Sequence, residues 1–409
     1  MNLRQITENI YYAGVNDRVI HRFESLWPVP DGISYNSYIV KGKKTALIDT
    51  VELGEAYALF AHLDSILDSA PLDYLVVNHM EPDHSGSIPL LTARYPSLKI
   101  VADKIAIGMI CDFYGITDPE KFIEVKDGDT LSLDGITLRF VMTPMVHWPE
   151  TMMTFAEEPR VLFAGDAFGC YGALDGGITD EETDPERYLE EAYRYYANIV
   201  GKYGRFVQRA MAKAIPLNPD YICSTHGPVW HRRISDIVRI YDRLSRYQGE
   251  PGTVIVYGSM YGNTQALAEA IAIRLAERGE KNIRIFNAAK DHLSWILAAT
   301  FRYDGLIVGA PTYSMTLFPP VDSFMKAIRT RELTGRTAGI FGSFTWASAA
   351  LKTLEDYFTD MNISPAAKLD MKRAMRCNEE AVAFADSYYN ALLASRSTNP
   401  LSNVRYNAR

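Results

Sequence analysis

Cysteine is scarce in this chain of 409 residues: there are four, at Cys111, Cys170, Cys223 and Cys377, and no two form a C-x-x-C pair. That scatter argues against a disulfide framework and against a thiolate-held zinc or iron–sulfur site. It leaves a reducing cytoplasm as the expected compartment. Long apolar runs are also missing. The longest uncharged stretch, Gly305 to Val321, carries three prolines, so no membrane span is expected. Met1 to Glu8 has no apolar core of the kind a signal peptide needs. Basic residues form no stripe, and the formal net charge is -8, which argues against nucleic acid as a partner.

What is present is ordinary globular material, 47% hydrophobic and 22% charged, in a length that suits two domains. The Gly/Pro punctuation Gln248-Gly249-Glu250-Pro251-Gly252 marks the boundary, between an amphipathic helix over Ile234 to Tyr247 and a β-branched strand over Thr253 to Tyr257. Ahead of it, strands are predicted at Ser37–Val40, Thr45–Asp49, Leu75–Val77, Leu98–Val101, Leu138–Val141, Thr151–Phe155, Val161–Ala164 and Tyr221–Ser224. Helices fall at Glu55–Leu67 and Pro185–Ile199. Strand runs with helices outside predict an αββα sandwich. Behind the boundary, strand and helix alternate: Val254–Tyr257, helix Asn263–Ala276, Ile283–Phe286, Gly305–Val308, Ala338–Phe341, helix Trp346–Phe358. That rhythm predicts an α/β doubly wound parallel sheet.

Four of the eight histidines belong to one framework. Asn78-His79-Met80-Glu81-Pro82-Asp83-His84 follows a predicted strand, and Pro82 is expected to keep this loop from continuing as helix. The loop offers two imidazoles and two carboxylates within six residues. His147, Asp166 and His226 each lie just beyond another predicted strand. Strand ends that deliver His, His, Asp and His to one rim make a metal site.

The spacing resembles that of the metallo-β-lactamase superfamily, whose hydrolases carry His-x-His-x-Asp-His after an equivalent strand. Here the second His is Glu81, and a harder carboxylate moves the site from zinc towards iron or manganese. With that change the pattern resembles the flavodiiron proteins (A-type flavoproteins). The resemblance implies that His79, Glu81 and His147 bind one iron. Asp83, His84 and His226 would bind the other, with Asp166 as the bridge. It implies two arrangements for His84, whose equivalent swings away in some members. The intervals fit, with 62 residues between His84 and His147, 18 to Asp166 and 59 to His226.

In the second half a strand runs into Gly258-Ser259-Met260-Tyr261-Gly262-Asn263-Thr264 and then a helix. Hydroxyls and backbone N–H groups at a helix start form a nest for a phosphomonoester. No Gly-Lys-[Ser/Thr] or G-x-G-x-x-G is present, which disfavours a nucleotide triphosphate or a dinucleotide. Two later loops follow strands at the same edge: Pro311, Thr312, Tyr313, Ser314 and Met315, and Ser343, Phe344, Thr345 and Trp346. Together they resemble flavodoxin, with FMN at the switch point of a 2-1-3-4-5 sheet.

In this order and without a gap, the two halves resemble a minimal two-domain flavodiiron protein. The expected layout is a metallo-β-lactamase-like domain over 1–250, a flavodoxin-like domain over 251–397 and a polar, frayed tail over 398–409. The resemblance implies reduction of O2 to water, of NO to N2O, or both, at two Fe ions fed through FMN. It also implies a head-to-tail homodimer or dimer of dimers, and a separate electron donor such as rubredoxin, a deazaflavin or a flavoprotein reductase. A zinc hydrolase with a fused flavin module is the alternative. Phe23 to Tyr38 matches a family segment near the distal iron. Glu24-Ser25-Leu26-Trp27 replaces the family's His-Gly-Tyr-type stretch there, which alters pocket polarity. Trp148 is expected to line the gap beside His147.

Overall fold

The computed structural model describes residues 4–372 and 378–398. They divide into two compact units, Met1–Ser245 and Arg246–Arg409. In the first, a seven-stranded sheet runs in the order Arg4–Thr7, Ile10–Tyr12, Tyr38–Lys41, Thr45–Ile48, Tyr74–Val76, Lys99–Ala102, Phe122–Glu124. Its first four strands pair antiparallel and its last four parallel. A five-stranded sheet follows: Thr130–Ser132, Thr137–Met142, Met152–Ala156, Val161–Gly165, Tyr221–Ser224.

The sheets meet through side chains that a strand's two-residue period aims inward. Tyr38 of the first sheet lies with its ring 5.4 Å from Phe163 of the second and donates its hydroxyl proton to Ser224 O at 2.6 Å. Strands such as Thr45–Ile48 and Val161–Gly165 are buried along their whole length, as expected where both faces are covered.

The second unit is a sheet with five parallel strands in the order Ile283–Asn287, Glu250–Tyr257, Tyr303–Tyr313, Thr337–Phe344, Ala367–Lys372, and the short Thr316–Leu317 pairs antiparallel with Tyr303–Tyr313. In chain order that is 2-1-3-4-5, the arrangement expected of it. Helices Asn263–Glu277 and Asn378–Thr398 cover one face and bury Leu267, Ile271, Phe384 and Tyr388 against Ile255, Ile307 and Phe341.

Several local expectations need correction. Pro82 begins a short helix, Pro82–Ser85, instead of preventing one. At the first helical position proline loses no intrahelical bond, and its fixed φ suits the turn. The helix from Pro185 is α only to Tyr195 and continues as a π turn over Tyr196–Val200. Trp346 stands in a loop, because the helix expected from it starts at Ala350. Of the expected tail, Thr398 is the last residue of helix Asn378–Thr398, and residues 399–409 lie outside the described residues. Helices Lys104–Tyr114, Gly204–Ala214, Leu293–Arg302 and Pro319–Thr330 were not anticipated.

Gly309 sits mid-strand where a Cβ would come within 2.0 Å of the Phe341 ring. Gly309→Ala should overpack this core and lower stability by about 1–3 kcal/mol, read as a lower denaturant midpoint.

Candidate metal centre and cofactor cavity

Each ligand candidate follows the end of a sheet strand, so the sheets fix the backbone and short loops aim the side chains. His79 and Glu81 follow Tyr74–Val76, and Asp83 and His84 sit on the Pro82–Ser85 turn. His147 follows Thr137–Met142, Asp166 follows Val161–Gly165 directly, and His226 follows Tyr221–Ser224. All seven are buried.

The structure brings them together as two groups. His79, Glu81, His147 and Asp166 form one, and Asp83, His84 and His226 the other. Asp166 faces both. Its Oδ2 is 3.1 Å from His147 Nε2 and 3.7 Å from His79 Nε2, and its Oδ1 is 3.0 Å from His84 Nε2 and 3.8 Å from His226 Nε2. Glu81 Oε2 lies 3.1 Å from His147 Nε2 and 3.4 Å from His79 Nε2. Asp83 Oδ2 lies 3.1 Å from His84 Nε2 and 3.3 Å from His226 Nε2. An ion bonded at about 2.1 Å to adjacent corners of an octahedron sets those ligands about 3.0 Å apart. Both groups have that scale.

Orphaned atoms test whether the residues fit a metal. Asp83 Oδ1 and Oδ2, His84 Nε2 and His226 Nε2 are buried without a hydrogen-bond partner among the described residues. Buried polar atoms of native proteins nearly always have one, and a bound cation satisfies all of these at once. The donor set is imidazole and carboxylate without thiolate, which suits iron.

The electrostatics agree. Burial alone would depress the His79 imidazole, but the carboxylates of Glu150, Glu81 and Asp166 outweigh it and hold the ring at about 10. His147 is held at about 9 in the same way, by Asp166 and Glu81. Burial works to raise Asp166, and the surrounding imidazoles hold it well below the ordinary carboxylate range.

Two residues that sequence reasoning missed steady the ligands. Glu150 Oε1 accepts from His79 Nδ1 at 2.8 Å and from the Met80 N–H at 2.9 Å, which leaves His79 Nε2 to face the pocket. The Thr225 hydroxyl donates to Asp166 Oδ1 at 2.5 Å. Thr225 could have been suspected from its place beside His226, whereas an isolated Glu three positions past His147 carries no signal. His226 Nδ1 is 2.7 Å from Ser34 O, so its Nε2 is likewise directed inward.

The Phe23–Tyr38 segment reaches the site as the matching family segment implied. The Phe23 ring is 5.2 Å from His226 and the Tyr35 ring 6.0 Å. Glu24 and Ser25 form a tight turn with φ of 49° and 57°, strain of order 1–3 kcal/mol per non-glycine residue. The Trp27 indole N–H holds Glu24 Oε2 at 2.9 Å. Glu24 meets solvent at its outer edge, but desolvation of its carboxyl and the nearby Glu81 carboxylate push it up to about 7. The Trp148 ring lies 5.3 Å from His79 and 6.3 Å from His147.

In the second unit a cavity of about 690 Å3 opens at the carboxyl ends of the parallel strands. Ser259, Met260, Tyr261, Asn263, Thr264, Pro311, Thr312, Tyr313, Ser314, Met315, Ser343, Phe344, Thr345 and Trp346 line it, and so does Ala347. Gly262 is the one expected residue outside this lining. With φ of 91° it caps helix Asn263–Glu277, a conformation glycine adopts without steric penalty. Asn263 Oδ1 is buried without a partner among the described residues, and the Thr264 and Ser343 hydroxyls lie 2.8 Å apart. A lining that combines hydroxyls and a helix start with Tyr313 and Trp346 suits a phosphate joined to a flat ring.

Residues 33–227 match the ODP family beta lactamase family, and residues 255–382 match the flavodoxin family. An anaerobic nitric oxide reductase flavorubredoxin of Escherichia coli O1:K1 / APEC is 32% identical over 97% of this chain and 83% of its own length. Its counterpart in Shigella flexneri is 31% identical over the same shares. The chain belongs to the flavodiiron protein family. Solved structures agree with that assignment. Rubredoxin oxygen:oxidoreductase of Desulfovibrio gigas matches with a TM-score of 0.90 at 27% identity, covering 96% of this chain and 99% of its own. A flavo di-iron protein of Thermotoga maritima, solved as a point mutant, matches at 0.88 and 26%, covering 95% and 98%.

Two outcomes are expected of this flavodiiron chain. Glu150→Gln should weaken metal retention roughly 10–100-fold, measured by dialysis against a graded chelator series. Protons and metal compete for the imidazole lone pairs. With His79 at about 10 and His147 at about 9, both rings carry a proton at pH 7 before metal arrives. Metal uptake should therefore release protons and tighten as pH rises towards 9. Zinc titrated into the metal-free chain in weak buffer should acidify the solution; a flat trace would show the rings already neutral.

Proposed function

We propose that this chain is an oxidoreductase that reduces O2 to water, NO to N2O, or both. One observation carries the reading: two buried groups of ligands share Asp166, in a chain that also holds the flavodoxin cavity. The names of the relatives point to both gases, nitric oxide for the Escherichia coli protein and oxygen for the Desulfovibrio gigas protein.

The chain's residues divide the task. His79, Glu81 and His147 would hold one iron, Asp83, His84 and His226 the other, and Asp166 would bridge them. Ser259 to Thr264 would hold the FMN phosphate, with the 311–315 and 343–346 loops around the ring. Bound there, FMN and the iron pair supply the electrons and the open coordination positions that side chains lack. Glu150, Thr225 and the Ser34 carbonyl keep the ligand lone pairs aimed inward. Glu24 and Trp27 form a polar lip beside Glu81, and Trp148 packs against His79 and His147 on the same rim.

We further propose a head-to-tail homodimer in a reducing cytoplasm, fed by a separate donor such as rubredoxin, a deazaflavin or a flavoprotein reductase. Tyr261, Met315 and Trp346 at the cavity rim are 89%, 61% and 86% exposed, an apolar edge suited to meeting another protein. Cys111, Cys170 and Cys223 are free thiols, as suits that compartment.

Anaerobic purification, assay of Fe and FMN, reduction by an artificial donor and comparison of O2 with NO consumption test the reading. Glu81→Ala and Asp166→Ala should each lower turnover roughly 100-fold or more while FMN stays bound. Gas reduction that survives both changes would remove the di-iron mechanism, and zinc content with ester turnover would favour a hydrolase instead.

A further inference from the structure

Asn36 lies between strands Ile33–Tyr35 and Tyr38–Lys41 and is fully buried. An amide there is costly unless its donors and acceptor are used, and they are. Asn36 Nδ2 donates to Ser224 O at 2.9 Å and to Gly227 O at 2.8 Å. The Asn36 main-chain N–H donates to Thr225 O at 2.7 Å. One residue thus holds the chain on both sides of the ligand candidate His226. Carbonyl oxygens can only accept, so the amide must present Nδ2 to them. Tyr12 then completes the arrangement, its hydroxyl donating to Asn36 Oδ1 at 2.8 Å.

The segment so held carries two parts of the dinuclear site. His226 Nε2 lies 3.3 Å from Asp83 Oδ2 and 3.8 Å from Asp166 Oδ1. The Thr225 hydroxyl donates to the same Asp166 Oδ1 at 2.5 Å. Ser34 reaches this loop as well, its Oγ accepting from the Gly227 N–H at 2.8 Å and its carbonyl lying 2.7 Å from His226 Nδ1. The two residues do different work. Ser34 O sets the rotation of the imidazole, whereas Asn36 sets the main chain from which the imidazole projects. A metal ion needs its donors within about 0.5 Å of the productive geometry, and partners behind the ligands supply that accuracy. His79, Glu81 and His147 stand on other loops, so the influence of Asn36 falls on the second group.

We propose that Asn36 is a positioning residue for the second metal of the pair. Its carboxamide, anchored by the Tyr12 phenol, fixes the main chain around His226 and thereby the distance from His226 Nε2 to Asp83 and to the shared Asp166. The inference deepens the proposed function and rests on the ligand set holding metal.

Cobalt(II) serves as the probe, because its visible absorption reports the ligands around it. Fe and FMN are assayed first in the wild-type chain. A chain that holds no metal defeats the functional reading, and this inference with it, and is thereby told apart from failure of the inference alone. The two groups are then read singly in chelator-treated, FMN-bound protein: Glu81→Ala leaves the second group intact and Asp83→Ala the first. In the Glu81→Ala chain, adding Asn36→Asp should weaken cobalt binding roughly 10–100-fold and shift the cobalt absorption. In the Asp83→Ala chain the same change should leave affinity within about twofold. Equal weakening in both chains overturns the proposal, since Asn36 would then serve the fold as a whole. Unchanged affinity in the Glu81→Ala chain overturns it too. Asn36→Asp sets a carboxylate against two carbonyls; if that chain does not fold, Tyr12→Phe decides. The variant keeps its ring 5.9 Å from Tyr38 and removes only the hydrogen bond to Oδ1. It should weaken cobalt binding roughly 3–10-fold in the Glu81→Ala chain and leave the Asp83→Ala chain unchanged. Absence of that selective loss overturns the proposal.

Discussion

A carboxylate at the centre of a buried cluster is stable only if positive charge surrounds it, and Asp166 is placed under that constraint. Its two oxygens face two separate groups of imidazoles, with Glu81 and Asp83 close by on either side. Without cations, protons on the histidines must supply the charge, which is why His79, His84 and His147 hold protons more tightly than a free imidazole. Two metal ions meet the same need with fixed geometry. The arrangement of both sheets follows from this, because the residues must come from four strand ends and still converge within a few ångströms.

The scaffold meets that demand by keeping movable atoms few. Largely buried strands set the backbone, and short loops at their ends carry the ligands. The remaining freedom lies in the orientation of the rings. Glu150 on His79 and Ser34 O on His226 remove it by occupying the outward nitrogen. The same logic explains the strained turn at Glu24 and Ser25, which holds a polar lip beside Glu81 where an unstrained loop would leave it free.

The second unit solves a different problem with the same device. Its parallel sheet ends in three loops whose backbone and hydroxyls surround one cavity. Strand order 2-1-3-4-5 opens the crevice where neighbouring connections leave in opposite directions. Gly262 contributes through conformation, not contact, since a residue with a side chain would be strained at its φ.

The sequence by itself determined the chemistry and its bearers. His79-x-Glu81-x-Asp83-His84 is a local string, and the apolar, strand-like runs before His147, Asp166 and His226 mark strand ends by composition. Residue type also carries the preference for iron, through Glu81. Only the tertiary structure decided the rest. That Glu150 and Thr225 steady the ligands depends on residues 71 and 59 positions apart, and no local pattern records such a distance. Pro82 could be read as a helix breaker or a helix starter, and the choice turned on the loop's direction after its strand. Tyr195 reads in sequence as one aromatic on an amphipathic helix. Its ring packs 5.5 Å from His226, a contact that only the tertiary fold sets up.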